Sequence, residues 1–118
     1  MTDLRTEVRA ALVSPPAENP AGEVTASFCF PPDFTGFQGH FPGNPVLPGI
    51  VQILMAEVTA GRGNDRLLAE VVRCKFLRPV SPGERVNVTA TPAGGEKWTC
   101  YLTVGEERCA LMTLIFAD

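Results

Sequence analysis

Apolar and polar residues alternate along several stretches of the chain. From Glu23 to Phe30, Val24, Ala26, Phe28 and Phe30 fall on one face, and Glu23, Thr25, Ser27 and Cys29 on the other. That is the period of a half-buried strand. The same alternation returns within residues 67–77, where Val72, Cys74 and Phe76 oppose Arg73 and Lys75. It returns with Val86, Val88 and Ala90 against Arg85, Asn87 and Thr89, and with Trp98, Cys100, Leu102 and Val104 against Lys97, Thr99, Tyr101 and Thr103. Residues 108–117 are apolar on both faces, the pattern of a strand with neighbours on both sides. Breaks at Pro82-Gly83, at Pro92 with Gly94-Gly95, and at Gly105 separate these strands. Residues 1–13 fit either a strand or a short helix. Pro15, Pro16, Pro20 and Gly22 are read as breaking the chain after them.

The one stretch with a different rhythm begins at Pro48. A helix is expected from this proline, through IVQILMAEVTA, to Gly61-Arg62-Gly63. Ile50, Val51, Ile53, Leu54, Met55 and Val58 occupy nearly all its sides, so it is a helix to be buried, and something must wrap it. Several antiparallel strands follow. A curved antiparallel sheet folded round a long central helix is the economical arrangement, and the fold class is α+β. Residues 31–47 hold Pro31, Pro32, Gly36, Gly39, Pro42, Gly43 and Pro45, which forbid a regular element. A loop of this length within a compact domain points to function. Its Phe34, Phe37, Phe41, Val46 and Leu47 are too apolar for a solvated linker.

Composition narrows the classes. The 118 residues fit one domain, 1–118, and 45% hydrophobic with 19% charged residues excludes a disordered chain. A formal net charge of -3 argues against a nucleic-acid partner. No run reaches the roughly 18 apolar residues of a membrane span. Asp3, Arg5, Glu7 and Arg9 interrupt the N-terminus, so no secretory signal is expected and the protein is read as cytoplasmic. Cys29, Cys74, Cys100 and Cys109 form no CxxC pair and have one histidine to join them, so no metal site is expected; they are read as small buried hydrophobes in a reducing compartment.

The chemistry concentrates in Phe37 to Glu57, FQGHFPGNPVLPGIVQILMAE, which holds the chain's one histidine, His40. Gly49 follows at the first turn of the buried helix. A helix N-terminus presents unpaired N–H groups and the positive end of the dipole. At a glycine, a ligand oxygen approaches that N–H closely. A thioester carbonyl held there has its enolate charge stabilised. An imidazole nearby removes the proton alpha to the carbonyl, because a histidine titrates near neutral pH. Apolar residues of loop and helix (Phe37, Phe41, Val46, Pro48 and Leu54) would line a slot for the acyl chain.

The run Gly39-His40-Phe41-Pro42-Gly43-Asn44-Pro45-Val46-Leu47-Pro48-Gly49 resembles the signature of the beta-hydroxyacyl-acyl-carrier-protein dehydratases of bacterial fatty-acid synthesis. It resembles still more the small thioester dehydratases found with aryl-polyene pathways. Lys75-Phe76-Leu77-Arg78-Pro79-Val80, followed by Pro82-Gly83-Glu84, is similar to a second family motif. The resemblance covers roughly residues 24–92. It implies a hot-dog fold paired into a dimer by a continuous sheet, with each active site at the dimer interface. There the loop histidine of one subunit meets an acidic residue on the helix of the other. Carried over by motif, His40 is the catalytic base and Gly49 the backbone oxyanion donor. The substrate implied is an acyl-carrier-protein or coenzyme A thioester; no cofactor is implied, since the pantetheine belongs to the substrate.

One position departs from the pattern. The family's helix acid falls fourteen residues after the histidine, which here is Leu54. Leucine neither protonates nor holds a leaving hydroxyl. Glu57 is the nearest substitute, about 4.5 Å further along the axis and about 60° round; the alternative for Glu57 is a structural hydrogen bond or an exposed helix end. Gln52 points to nearly the opposite side from Leu54. Arg73, Lys75 and Arg78 form a local basic excess, a docking patch for an acidic acyl carrier protein or else solvated strand-face charge. The reading is therefore a homodimeric 3-hydroxyacyl-thioester dehydratase with His40, Gly49 and Glu57 at its site. Alternatives are a non-catalytic acyl- or carrier-binding subunit in a mixed dimer with an active homologue, and a hot-dog thioesterase. A trimer of dimers stays open.

Overall fold

A computed structural model of the protein describes residues 3–34, 37, 45–62, 64 and 66–117. The chain begins with a short helix, α1 (Leu4–Ala10), whose N-cap Asp3 accepts a hydrogen bond from the Thr6 N–H at 2.8 Å. That bond holds the Asp3 carboxyl below its ordinary range. Among the described residues six strands follow: β1 (Leu12–Glu18), β2 (Val24–Cys29), β3 (Leu68–Phe76), β4 (Arg85–Pro92), β5 (Lys97–Val104) and β6 (Glu107–Phe116). The second helix, α2 (Gly49–Ala60), lies between β2 and β3 in sequence. The strands form one sheet in the order β1-β2-β4-β5-β6-β3, and every neighbouring pair is antiparallel.

In β2, β4 and β5 the alternating positions behave as their period requires; in β3 the expected alternation is broken, with Val72 and Cys74 only part-buried, Phe76 exposed and a register shift between Val72 and Lys75. Val86, Val88 and Ala90 of β4 and Trp98, Cys100 and Leu102 of β5 are buried, with Val24, Ala26 and Phe28 of β2 beside them. Strand β6, apolar on both faces, lies between β5 and β3. These inward faces pack on α2, where nine residues from Val51 to Ala60 are buried. The sheet wraps the helix, which contacts β1, β2, β4, β5 and β6. This is the expected α+β arrangement.

Two local expectations are corrected. The break foreseen at Pro15-Pro16 lies inside β1. β1 is an edge strand, so a proline there forfeits no ladder bond on its open side, and the register shifts between Leu12 and Ser14 and between Ser14 and Ala17 absorb the misfit. Pro48 precedes the helix instead of opening it. With φ -62° and ψ 152° it is the N-cap residue, and Gly49 is the first helical position. Among the described residues no helix is long and apolar enough to cross a membrane.

Candidate active site

The N-terminus of α2 opens into a cavity of about 550 Å³. Val46, Leu47 and Pro48 form one wall, and Phe76, Leu77 and Pro79 another, with Gly49, Gln52 and Arg78 completing the lining. Long-range backbone bonds fix the two walls. The Leu47 N–H donates to the Val80 carbonyl at 2.8 Å, and the Leu77 N–H to the Cys109 carbonyl at 2.8 Å.

Pro48 supplies no side-chain cap. The Val51 and Gln52 N–H groups bond back to the Pro48 carbonyl. Among the described residues, the Gly49 and Ile50 N–H groups are left without a hydrogen-bond partner. Such a helix start attracts an anion or a polarised carbonyl oxygen. Gly49 lets the Phe76 ring lie against the helix start. A Cβ on it would stand 2.8 Å from Phe76 Cζ.

Gln52 lies one helical turn beyond Gly49 and is only 3% exposed. Its Nε2 donates to the Leu47 carbonyl at 3.2 Å, while its Oε1 is buried with no partner among the described residues. Arg78 is held by a bidentate pair with Glu84, at 2.9 and 2.8 Å, and by Glu107 at 3.5 Å. The pairing raises the Arg78 guanidinium and holds the Glu84 carboxyl below its ordinary range.

The other expected site residues fall in several places. Val46 and Pro48 line the cavity. Phe37 is buried in a row of rings, 5.6 Å from Phe34, and Leu54 is buried in the core cluster; neither lines this cavity. His40 and Phe41 lie outside the described residues. Arg73 and Lys75 are exposed on β3, whereas Arg78 is already neutralised by its two glutamates. Glu57 sits eight residues after Gly49, 7% exposed, and its Oε1 accepts from Arg5 at 2.7 Å. It lines a second cavity of about 430 Å³ with Arg5, Arg9, Val58, Arg66 and Leu67. Within one chain, therefore, Glu57 and Gly49 belong to different cavities. Gln52, Phe76 and Leu77 were not foreseen at the site. The three-residue spacing from Gly49 to Gln52 is the signal that would have found the first.

A helix wrapped by an antiparallel sheet, its uncapped start facing an apolar slot, is the architecture of a hot-dog-fold protein. The chain belongs to the ApeI-like family, described as ApeI dehydratase, whose sequence profile matches residues 17–112. The 3-hydroxyacyl-acyl-carrier-protein dehydratase FabZ of Alkaliphilus metalliredigens is 35% identical over 69% of this chain and 64% of its own length. The chain thus spans a little under two thirds of that relative. Among solved structures, the dehydratase heterocomplex ApeI:P from Xenorhabdus doucetiae superposes with a TM-score of 0.78 at 18% identity, covering 91% of this chain and 96% of that one. The PaaI protein of E. coli, from the phenylacetic acid degradation operon, gives 0.70 at 13% identity, covering 98% and 89%. These two likenesses show the shared fold.

Proposed function

We propose that this protein dehydrates a 3-hydroxyacyl thioester, borne by an acyl carrier protein or coenzyme A, to the trans-2-enoyl thioester. The observation that carries this reading is the unpaired start of α2 at Gly49, opening into an apolar cavity in a chain of the dehydratase family. The thioester carbonyl docks on the Gly49 N–H, where enolate charge is stabilised as it develops. His40 removes the alpha proton. The electron pair left on the alpha carbon forms the new double bond as the 3-hydroxyl leaves with a proton.

The proton donor is the unusual part, because Leu54 occupies the family's acid position. Glu57 of a second copy fills the role. β3 is an edge strand with an open row of backbone groups, and exposed Leu67, Phe76 and Leu77 border it. The other edge is blunted by the prolines and bulges of β1. If β3 pairs antiparallel with its copy about a twofold axis, the start of one strand meets the end of the other. Arg66 and Leu67, at the start, line the Glu57 cavity; Phe76 and Leu77, at the end, line the Gly49 cavity. The pairing brings Glu57 of one copy toward Gly49 of the other. Arg73 and Lys75 lie on this edge and are the remaining cations for carrier docking. All four cysteines are free, which suits a reducing cytoplasm.

A second reading is favoured by Leu54 together with the likeness to a dehydratase heterocomplex. Here β3 pairs with a related chain that supplies the acid, and this protein contributes the Gly49 cavity. Hydration of a short trans-2-enoyl thioester by the purified protein separates the readings. Turnover by wild type, lost in His40→Ala and Glu57→Gln, supports the homodimeric dehydratase. An inert wild type that becomes active with a co-purifying homologue supports the mixed dimer. Release of free thiol without alkene chemistry identifies a thioesterase instead.

A further inference from the structure

We propose that Gln52 is the polar anchor of the cavity, its Oε1 accepting a hydrogen bond from the 3-hydroxyl of the bound acyl group; the identity of that ligand rests on the dehydratase reading above. Gln52 is buried, yet only half of its amide is used. The Leu47 carbonyl only accepts, so the amide nitrogen must face it, and that fixes the orientation of the amide. The oxygen left over has no partner among the described residues. A buried acceptor without a donor is costly, and its persistence at a ligand cavity marks a place where a ligand completes it.

Among the described residues, no side chain of the lining donates to Oε1. Val46, Leu47, Pro48, Phe76, Leu77 and Pro79 present apolar side chains. The guanidinium of Arg78 is engaged by Glu84 and Glu107. The chemistry of the ligand supplies what is missing. Near the reacting end of a 3-hydroxyacyl thioester, the carbonyl oxygen and sulfur carry no proton, and the hydroxyl is the one donor. The Gln52 side chain leans back along α2 until its amide meets the Leu47 carbonyl at 3.2 Å, so the amide lies at the same helix start as the Gly49 N–H. That placement suits a carbonyl on the Gly49 N–H and a hydroxyl, two carbons away, on Gln52. Donating its proton to Gln52 leaves the hydroxyl lone pairs facing away from α2, open to a proton donor on a second copy. Gln52 itself gives no proton, because a carboxamide is not acidic at neutral pH; one of its two Nε2 hydrogens is bonded to the Leu47 carbonyl. Its role is to select and orient the hydroxylated acyl group.

The test uses the full-length protein in a His40→Ala background, which blocks turnover under the dehydratase reading. Calorimetry measures the binding of 3-hydroxybutyryl-coenzyme A, of butyryl-coenzyme A lacking the hydroxyl, and of coenzyme A alone. With Gln52 intact, the hydroxylated ligand is expected to bind about fivefold to tenfold tighter than its saturated counterpart. In Gln52→Leu and Gln52→Met that preference should vanish while butyryl-coenzyme A binds as before. Equal weakening of both acyl ligands, or weakening of coenzyme A alone, would place the contact on the pantetheine amides or in the cavity wall and overturn the proposal. So would the absence of any preference in the Gln52-intact protein, a result that needs no folded variant. Wild-type turnover is a separate readout. Its absence would count against the dehydratase reading while leaving the hydroxyl preference measurable.

Discussion

At Gly49 a hydrogen in place of a methyl group decides whether the α2 start is open. A Cβ there meets the end of the Phe76 ring at 2.8 Å. Phe76 is 50% exposed, so its ring can swing away. Gly49→Ala is therefore expected to keep its melting temperature while kcat/KM on a thioester falls at least about tenfold, because the added methyl and displaced ring crowd the carbonyl site. Phe76→Ala in the same chain should restore part of the loss. Arg5 and Glu57 make the opposite kind of pair, one that matters to stability. Arg5→Met removes the hydrogen-bond donor to the buried Glu57 side chain, and urea denaturation should show a loss of about 1–3 kcal/mol. The Cys100 thiol, pushed up to about 12 by burial, stays protonated and covered. Neither it nor buried Cys109 should react with a thiol reagent in the native protein, and both should react on unfolding.

Elements differ in how plainly the sequence announces them. α2, β4 and β5 are legible because their periods match a single buried surface. Met55 on α2 is fully buried, and Met55→Ala is expected to cost about 2–5 kcal/mol by denaturant titration. The α1–β1 corner is not legible, since seven helical residues and a proline-bearing edge strand carry little periodic signal. The site divides in the same way. Gly49 stands out because glycine at a helix start has a physical meaning of its own. Gln52 does not, because a glutamine within a helix reads as a solvated position until the surrounding sheet is known. Phe76 and Leu77 reach the cavity through the pairing of β3 with β6 and the bond from Leu77 to Cys109, both long-range in sequence. Period-2 alternation placed Phe76 with Val72 and Cys74, yet the register shift between Val72 and Lys75 breaks that alternation, and Phe76 covers Gly49 instead.

On the scale of the whole molecule, charge and symmetry set the behaviour. Glu84, joined to Arg78, has a folded-state pKa below its unfolded value. Its contribution to stability is present above the ordinary carboxyl range and is lost as pH falls through the lowered folded value. Glu84→Gln should therefore lower the melting temperature at neutral pH and flatten its decline on acidification, as followed by circular dichroism. The edge of β3 makes the larger claim, that one active site is built from two copies. Leu67→Glu with Leu77→Glu places charges where the two strands would meet and should shift the protein to monomer in sedimentation, with loss of turnover. The most direct measurement mixes the His40→Ala and Glu57→Gln proteins, unfolds and refolds them together, and follows enoyl-thioester hydration. Each variant alone should be inactive, and the mixture should regain roughly a quarter of wild-type activity, because half the dimers then carry one intact site. A mixture as inert as its components, or a Glu57→Gln protein as active as wild type, would contradict a site shared between His40 of one copy and Glu57 of the other.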